Sequence, residues 1–235
     1  MYHPILVRGV QMAAQAGFQV GIVTNGYWAT CEEDAVEWLK PFAQLIQDLA
    51  VSTDLYHWDD KISRQAANAR AAAKELGIPA GIITVAQCDE DSAASVVGQL
   101  PPQESAVMYR GRAAEKLAQK VKGRPWTEFT ACTRENLRDP QRVHVDPLGY
   151  VHLCQGISLG NLFHSSLKDM CENYDAEKHP IVGPLIAAGP AELVRHYDLA
   201  HLDWYADACH LCYDARSRLR GRFSEILGPD QMYGA

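Results

Sequence analysis

Three short, almost continuous apolar runs, at residues 19–24, 49–52 and 81–85, recur roughly 30 residues apart with helix-forming sequence between them. Strands without polar alternation are buried on both faces, and that spacing leaves room for one crossover helix each time, so the pattern predicts βαβ units and a parallel sheet. The intervening helices are expected at 7–16, stopped by Gly17, at 30–39, and from Ser63 onward. Thr30 with Glu33 reads as a capping box for the second of these, and Ala66, Ala69, Ala73 and Leu76 share one face of the third. A further strand is expected near 106–109. A closed eightfold barrel takes about 250 residues. The roughly 110 residues available here make an open sheet or part of a barrel.

From about Gly111 the pattern changes. Residues 112–121 read as a helix, and 142–154 as two alternating runs about Pro147–Gly149, a β-hairpin. A helix is expected at 167–173, a loop-rich stretch at 180–190, and a last helix at 215–227 carrying Leu219, Phe223 and Leu227 on one face. The chain therefore divides into an α/β portion, 1–112, and a small α+β portion, 113–235.

The charge balance is 22 Lys and Arg against 29 Asp and Glu, a net −7, with no basic stripe to neutralise phosphates. Nucleic acid is not an expected partner. The apolar runs are strand-length, so no membrane span is expected, and no charged and apolar leader pattern opens the sequence. Seven cysteines, an odd number without an export signal, argue for a reducing, cytoplasmic setting in which clustered thiols act as metal ligands. Cys209 and Cys212 form a CxxC. The residues before it do not read as a strand, which disfavours a thioredoxin-like redox pair. Cys154 closes the hairpin and Cys132 precedes it, giving a candidate four-thiolate site. Spacing alone suits iron–sulfur and zinc equally, and four unrelated cysteines is the bland alternative. Cys171 reads as a packed helical residue, and Cys31 and Cys88 lack partners at ligand spacing. His144 and His152 alternate along the hairpin, and His210 inside the CxxC could donate from behind it. Arg216, Arg218, Arg220 and Arg222 read most simply as a solvated helix face, with offsetting of a cluster's charge as the weaker reading.

Cys132, the segment VHVDPLGYVHLC at 143–154, Gly160-Asn161-Leu162 and the CxxC together resemble the C-terminal auxiliary-cluster region of radical SAM proteins of the SPASM/twitch type. The first half resembles the same superfamily in the right order. GFQVGIVTNG at 17–26 is similar to the "TNG" strand of its partial barrel, and LAVSTD at 49–54 to the strand that follows. The resemblance implies a partial radical SAM βα barrel followed by a cluster domain binding a [4Fe-4S] cluster through Cys132, Cys154, Cys209 and Cys212. It further implies that Asn25, Ser52 and Asp54 approach S-adenosyl-L-methionine, and that the complete protein generates a 5′-deoxyadenosyl radical to modify a peptide or small-molecule substrate. The family's catalytic CxxxCxxC and its GGEP-like segment do not occur in the sequence. That departure implies a form lacking the N-terminal portion, with the strand of Ile22 left at an edge that another chain could complete. The competing expectation is a non-catalytic iron–sulfur or zinc protein: an electron carrier, a partner subunit or a degenerate relic.

Overall fold

The computed structural model describes residues 2–53, 63–85, 104–105 and 107–234. The described residues divide into two compact units, 2–85 with 104–105, and 107–234. The change of unit falls at 107 rather than at the expected 113. The residues between already belong to the second unit: Tyr109 is buried and Arg110 bonds to Cys154.

The first unit runs α1 (His3–Gln15), β1 (Gly21–Thr24), α2 (Glu32–Leu39), β2 (Asp48–Ser52), α3 (Arg64–Glu75), β3 (Ala80–Val85) and β4 (Glu104–Ser105). Its strands form one parallel sheet in chain order, β1-β2-β3-β4, with Thr24 opposite Val51 and Val51 opposite Ile82. The period of two decides which face is packed. Ile22, Leu49 and Val51 are buried with Leu39, Phe42 and the alanines of α3, whereas Val23 points away and is 61% exposed. Ala66, Ala69, Ala72 and Ala73 are all buried, and their small side chains let α3 lie close across β2 and β3. Ser63 caps α3 as expected, accepting from Ala66 N at 3.1 Å. The cap of α2 is displaced by one residue from Thr30: Cys31 Sγ accepts from Asp34 N at 3.4 Å, and the Thr30 hydroxyl turns to the Asp34 carboxylate at 2.5 Å. The strand expected at 106–109 lies earlier, at Glu104–Ser105; Ala106 is outside the described residues.

The second unit contains α4 (Arg112–Lys116), β5 (Arg124–Pro125), β6 (His144–Val145), β7 (Tyr150–Cys154), β8 (Ile157–Asn161), α5 (Leu167–Glu172), α6 (Val182–His196), β9 (Trp204–Tyr205) and α7 (Ala208–Leu219). β6, β7 and β8 make an antiparallel sheet, and β5 pairs with β9. Leu153 and Ile157 from the sheet, Ile181, Leu185 and Leu193 from the α6 region, and Leu211 and Leu219 from α7 share one core. The hairpin forms where expected. Asp146 Oδ1 accepts from Leu148 N (2.8 Å) and Tyr150 N (3.0 Å), and Gly149 supplies the φ of +85° that the turn needs.

Three expectations are corrected here. Residues 180–190 are mostly helix, because Pro184 sits in the first turn of α6, where a missing N–H costs nothing. At Ala188 and Gly189 the chain leaves helical geometry, so α6 is two helical segments joined at a kink, the second resuming at Pro190. The last helix spans Ala208–Leu219 rather than 215–227: Asp207 opens it, its carboxylate accepting from His210 N at 2.7 Å. The helix placed at 112–121 is one short α4 followed by a 3-10 turn at Ala118–Lys120. No helix among the described residues is long and apolar enough to cross a membrane.

Candidate functional site

α7 places the CxxC in its opening turns, with Cys209 second and Cys212 fifth in the helix. Residues three and four apart share a helix face, so Cys209, Cys212 and Arg216 form one stripe. β7 ends at Cys154, whose side chain alternates with those of Val151 and Leu153, both buried in the core. Cys132 comes from the irregular stretch between the 3-10 turn Trp126–Glu128 and β6.

Cys212 feels the charges of Cys154 and Cys132, and Cys209 those of Cys154 and Cys212. Each of the four residues is half-buried. Burial of its sulfur end pushes the Cys212 thiol up to about 11, Arg216 opposes this, and Cys154 and Cys132 add to it. Cys209 is pushed up by burial first, then by the neighbouring charges of Asp207, Cys154 and Cys212. Every member of the quartet is thus tied to at least one other. Among the described residues, no three Cys, His, Asp or Glu side chains are gathered as tightly as a single metal ion requires. A tetrahedral zinc site would bring its sulfurs to about 4 Å from one another.

Two arginines meet the thiols. Arg110 Nη1 donates to Cys154 Sγ at 3.2 Å. Arg216, expected on a solvated face, is 1% exposed. Its Nε donates to Cys212 O (3.2 Å), and its Nη1 to Gln155 O (2.6 Å) and the Tyr233 hydroxyl (3.4 Å). Burial works against the charge, and Cys212, Tyr233, Cys154 and Cys209 work for it only when they are themselves ionised. The other arginines of the stretch behave differently: Arg218 pairs with Asp214, Arg220 with Asp230, and Arg222 lies over Tyr197. Among the described residues Arg216 has no carboxylate ion pair. A guanidinium cannot shed its proton, and an enclosed charge without a counter-charge costs several kcal/mol. Neutral thiols do not supply that counter-charge; thiolates on a metal centre do.

The surroundings hold these groups in place. Asp207 carries a pKa raised by burial and receives backbone N–H groups from His210 and Tyr109. His152 is buried and its Nε2 meets Asp146 Oδ2 at 3.0 Å, so it braces the hairpin, whereas His144 is half-exposed beside Glu135. His210 Nδ1 accepts from Ala206 N at 3.2 Å, which closes the turn before the CxxC. Cys171 is exposed and Cys31 is a helix cap; Cys88 and Asp54 lie outside the described residues. The signal for Arg216 in the sequence is a C-x-x-C-x-x-x-R stripe, which shows as one helix face only when the helix begins before Cys209 rather than at 215. A two-residue strand, β9, does precede the CxxC, contrary to expectation. A redox pair would nevertheless need a lowered thiol pKa, and both thiols are raised.

In the first unit, Asn25 and Ser52 stand at the C-terminal ends of the neighbouring parallel strands β1 and β2, the end at which such sheets present polar groups to ligands. Asn25 is exposed and its Oδ1 accepts from Tyr27 N at 3.3 Å. Comparison of the chain with protein-family models and with curated proteins gives no match to either.

Proposed function

We propose that the second unit binds a [4Fe-4S] cluster through Cys132, Cys154, Cys209 and Cys212, as the auxiliary centre of a radical-SAM-type protein with a SPASM/twitch-like domain. The observation that supports this reading is Arg216, an enclosed permanent cation with no carboxylate ion pair among the described residues and with Cys212, Tyr233, Cys154 and Cys209 around it. Arg110 on Cys154 adds a second positive group. A four-cysteine cluster with its thiolates carries net negative charge, and hydrogen bonds and cations at its sulfurs stabilise it and set its potential.

When bound, the cluster supplies electron relay or a substrate-binding iron. The chain's own residues hold the thiolates, balance their charge and shield them from water. Asn25 and Ser52 are the described residues proposed to approach S-adenosyl-L-methionine, with Asp54 beyond them in the sequence. The radical-generating step needs three thiolates spaced CxxxCxxC, which the sequence does not contain. Generation of a 5′-deoxyadenosyl radical and modification of a peptide or small molecule are therefore proposed for a complete form. That same missing motif favours, as the second reading, a non-catalytic iron–sulfur protein acting as electron carrier or partner subunit.

Anaerobic purification tests the proposal. Brown protein absorbing near 400 nm, with iron and sulfide in equal amounts, is expected. Cys154→Ser or Cys212→Ser should remove the colour and Cys171→Ser should not. Stoichiometric zinc without sulfide would overturn it.

A further inference from the structure

Cys132 alone among the four thiols sits on no helix or strand, so something other than its own backbone pattern must place it. Its loop is tethered on the C-terminal side by Leu137, which is buried and whose carbonyl accepts from the Tyr174 hydroxyl. On the N-terminal side it meets the kink of α6. There Ala188 (φ −153°, ψ 39°) and Gly189 (φ 70°, ψ −166°) leave helical geometry. The second of these conformations is open essentially to glycine only. A Cβ at Gly189 would lie 2.3 Å from both Ala131 N and Thr130 C, and 2.7 Å from Phe129 O. The kink therefore presses backbone against backbone, one residue before Cys132. Pro190 brings no N–H, and the next donor, Ala191 N, bonds Phe129 O at 3.1 Å. Phe129 is buried and fixes the near end of the contact.

From this contact we infer that Gly189 is a positioning residue for Cys132: the bare backbone at the α6 kink sets where the fourth thiol stands relative to Cys212. The inference rests on the reading of Cys132 as a ligand, and its geometric content is independent of any metal. A side chain at 189 must push residues 129–131 aside, and the thiol that follows moves with them. Cys154, Cys209 and Cys212, carried by β7 and α7, are held by other contacts and stay where they are.

The test uses the full chain, free of metal and reduced, treated with a short thiol-bridging bis-alkylating reagent and mapped by mass spectrometry. The wild type is expected to give both a Cys132–Cys212 and a Cys209–Cys212 bridge. Gly189→Ala should lose the first and keep the second, a selective loss that general unfolding would not produce. Gly221→Ala, where an added Cβ meets nothing within 4 Å, should keep both. Should Gly189→Ala prove poorly folded, the double variant decides. If Gly189 acts through Cys132, Cys132→Ser with Gly189→Ala retains no less iron and sulfide, and no less of the Cys209–Cys212 bridge, than Cys132→Ser alone. An unchanged Cys132–Cys212 bridge in Gly189→Ala, or a double variant clearly worse than Cys132→Ser, overturns the inference. A wild type that bridges as expected yet takes up no iron would leave the placement standing and sink the cluster.

Discussion

Replacing Arg216 by methionine should have different consequences with and without the cluster, and the difference can be sized from the contacts. Met has a similar reach and no charge. In the cluster-free protein the substitution removes an enclosed cation that lacks a carboxylate partner, a gain of several kcal/mol by the usual cost of such charges. It also strands Gln155 O, which accepts from the guanidinium, at about 1–3 kcal/mol. These effects oppose one another, so the cluster-free protein should change little in urea unfolding. In the loaded protein the relief is absent, because the cation then faces negative charge. A unit charge at about 4 Å in an effective dielectric near 20 is worth about 4 kcal/mol, and roughly half that at twice the distance. The loaded form should accordingly lose about 2–4 kcal/mol more than the cluster-free form. Withdrawing positive charge also makes reduction harder, so the midpoint potential should fall by about 80–170 mV for a one-electron couple. A redox titration followed by electron paramagnetic resonance reads the potential, and paired urea titrations read the stabilities. Equal destabilisation of both forms with an unchanged potential would refute the assignment of Arg216 as the cluster's counter-charge.

Cluster loading should be pH-dependent. Cys212 in the cluster-free fold titrates near 11 and Cys209 is also raised, yet both must lose a proton to bind iron; reconstitution at fixed iron and sulfide should improve from pH 7 to pH 9. The same shifts fix the sign for the unloaded fold. A thiol whose folded pKa exceeds the ordinary 9.0 contributes stability that is whole below that value, so stability should fall as pH climbs from about 9 through about 11, as urea midpoints would show. Asp207→Ala removes the cap of α7 and should cost about 1 kcal/mol, with a lowered thermal midpoint and easier loss of cluster. Asp146→Ala frees three donors at the hairpin turn, from Leu148, Tyr150 and His152, and should cost about 2–4 kcal/mol in unfolding measurements. Burial tends to raise the Asp146 pKa, but those three hydrogen bonds outweigh it and hold the carboxyl below its usual range, so its contribution is present above about pH 4 and fades as pH falls further.

The sequence was most readable where local pattern and fold agree. The three apolar runs became adjacent parallel strands, Ser63 capped its helix, and Asp146 with Gly149 made the turn. It misled at 180–190, which reads as loop-rich. Pro184 falls in a first turn and Pro190 follows a kink, so a region read as loop is the helix α6 that fixes the Cys132 segment. It was silent where partners are distant in the chain. Locally only the C-x-x-C-x-x-x-R stripe and the bond to Cys212 O involve Arg216; its enclosing partners come from Gln155, some sixty positions upstream, and from Tyr233 near the end. β8 also escaped notice, because its glycine-containing ISLGN reads as turn rather than strand until β7 is there to pair with it. The quartet itself was proposed from the four residues' identities and a likeness in motif.

The interior guanidinium ties the fate of one residue to that of four others. On the proposed function, a descendant that dispensed with iron would keep a positive charge sealed beneath Tyr233 with no carboxylate among the described residues to balance it. Selection on such a lineage would favour an uncharged substitute at 216 soon after any cysteine was lost. In relatives of this chain, arginine at this place and the complete cysteine set should therefore be inherited, and abandoned, together.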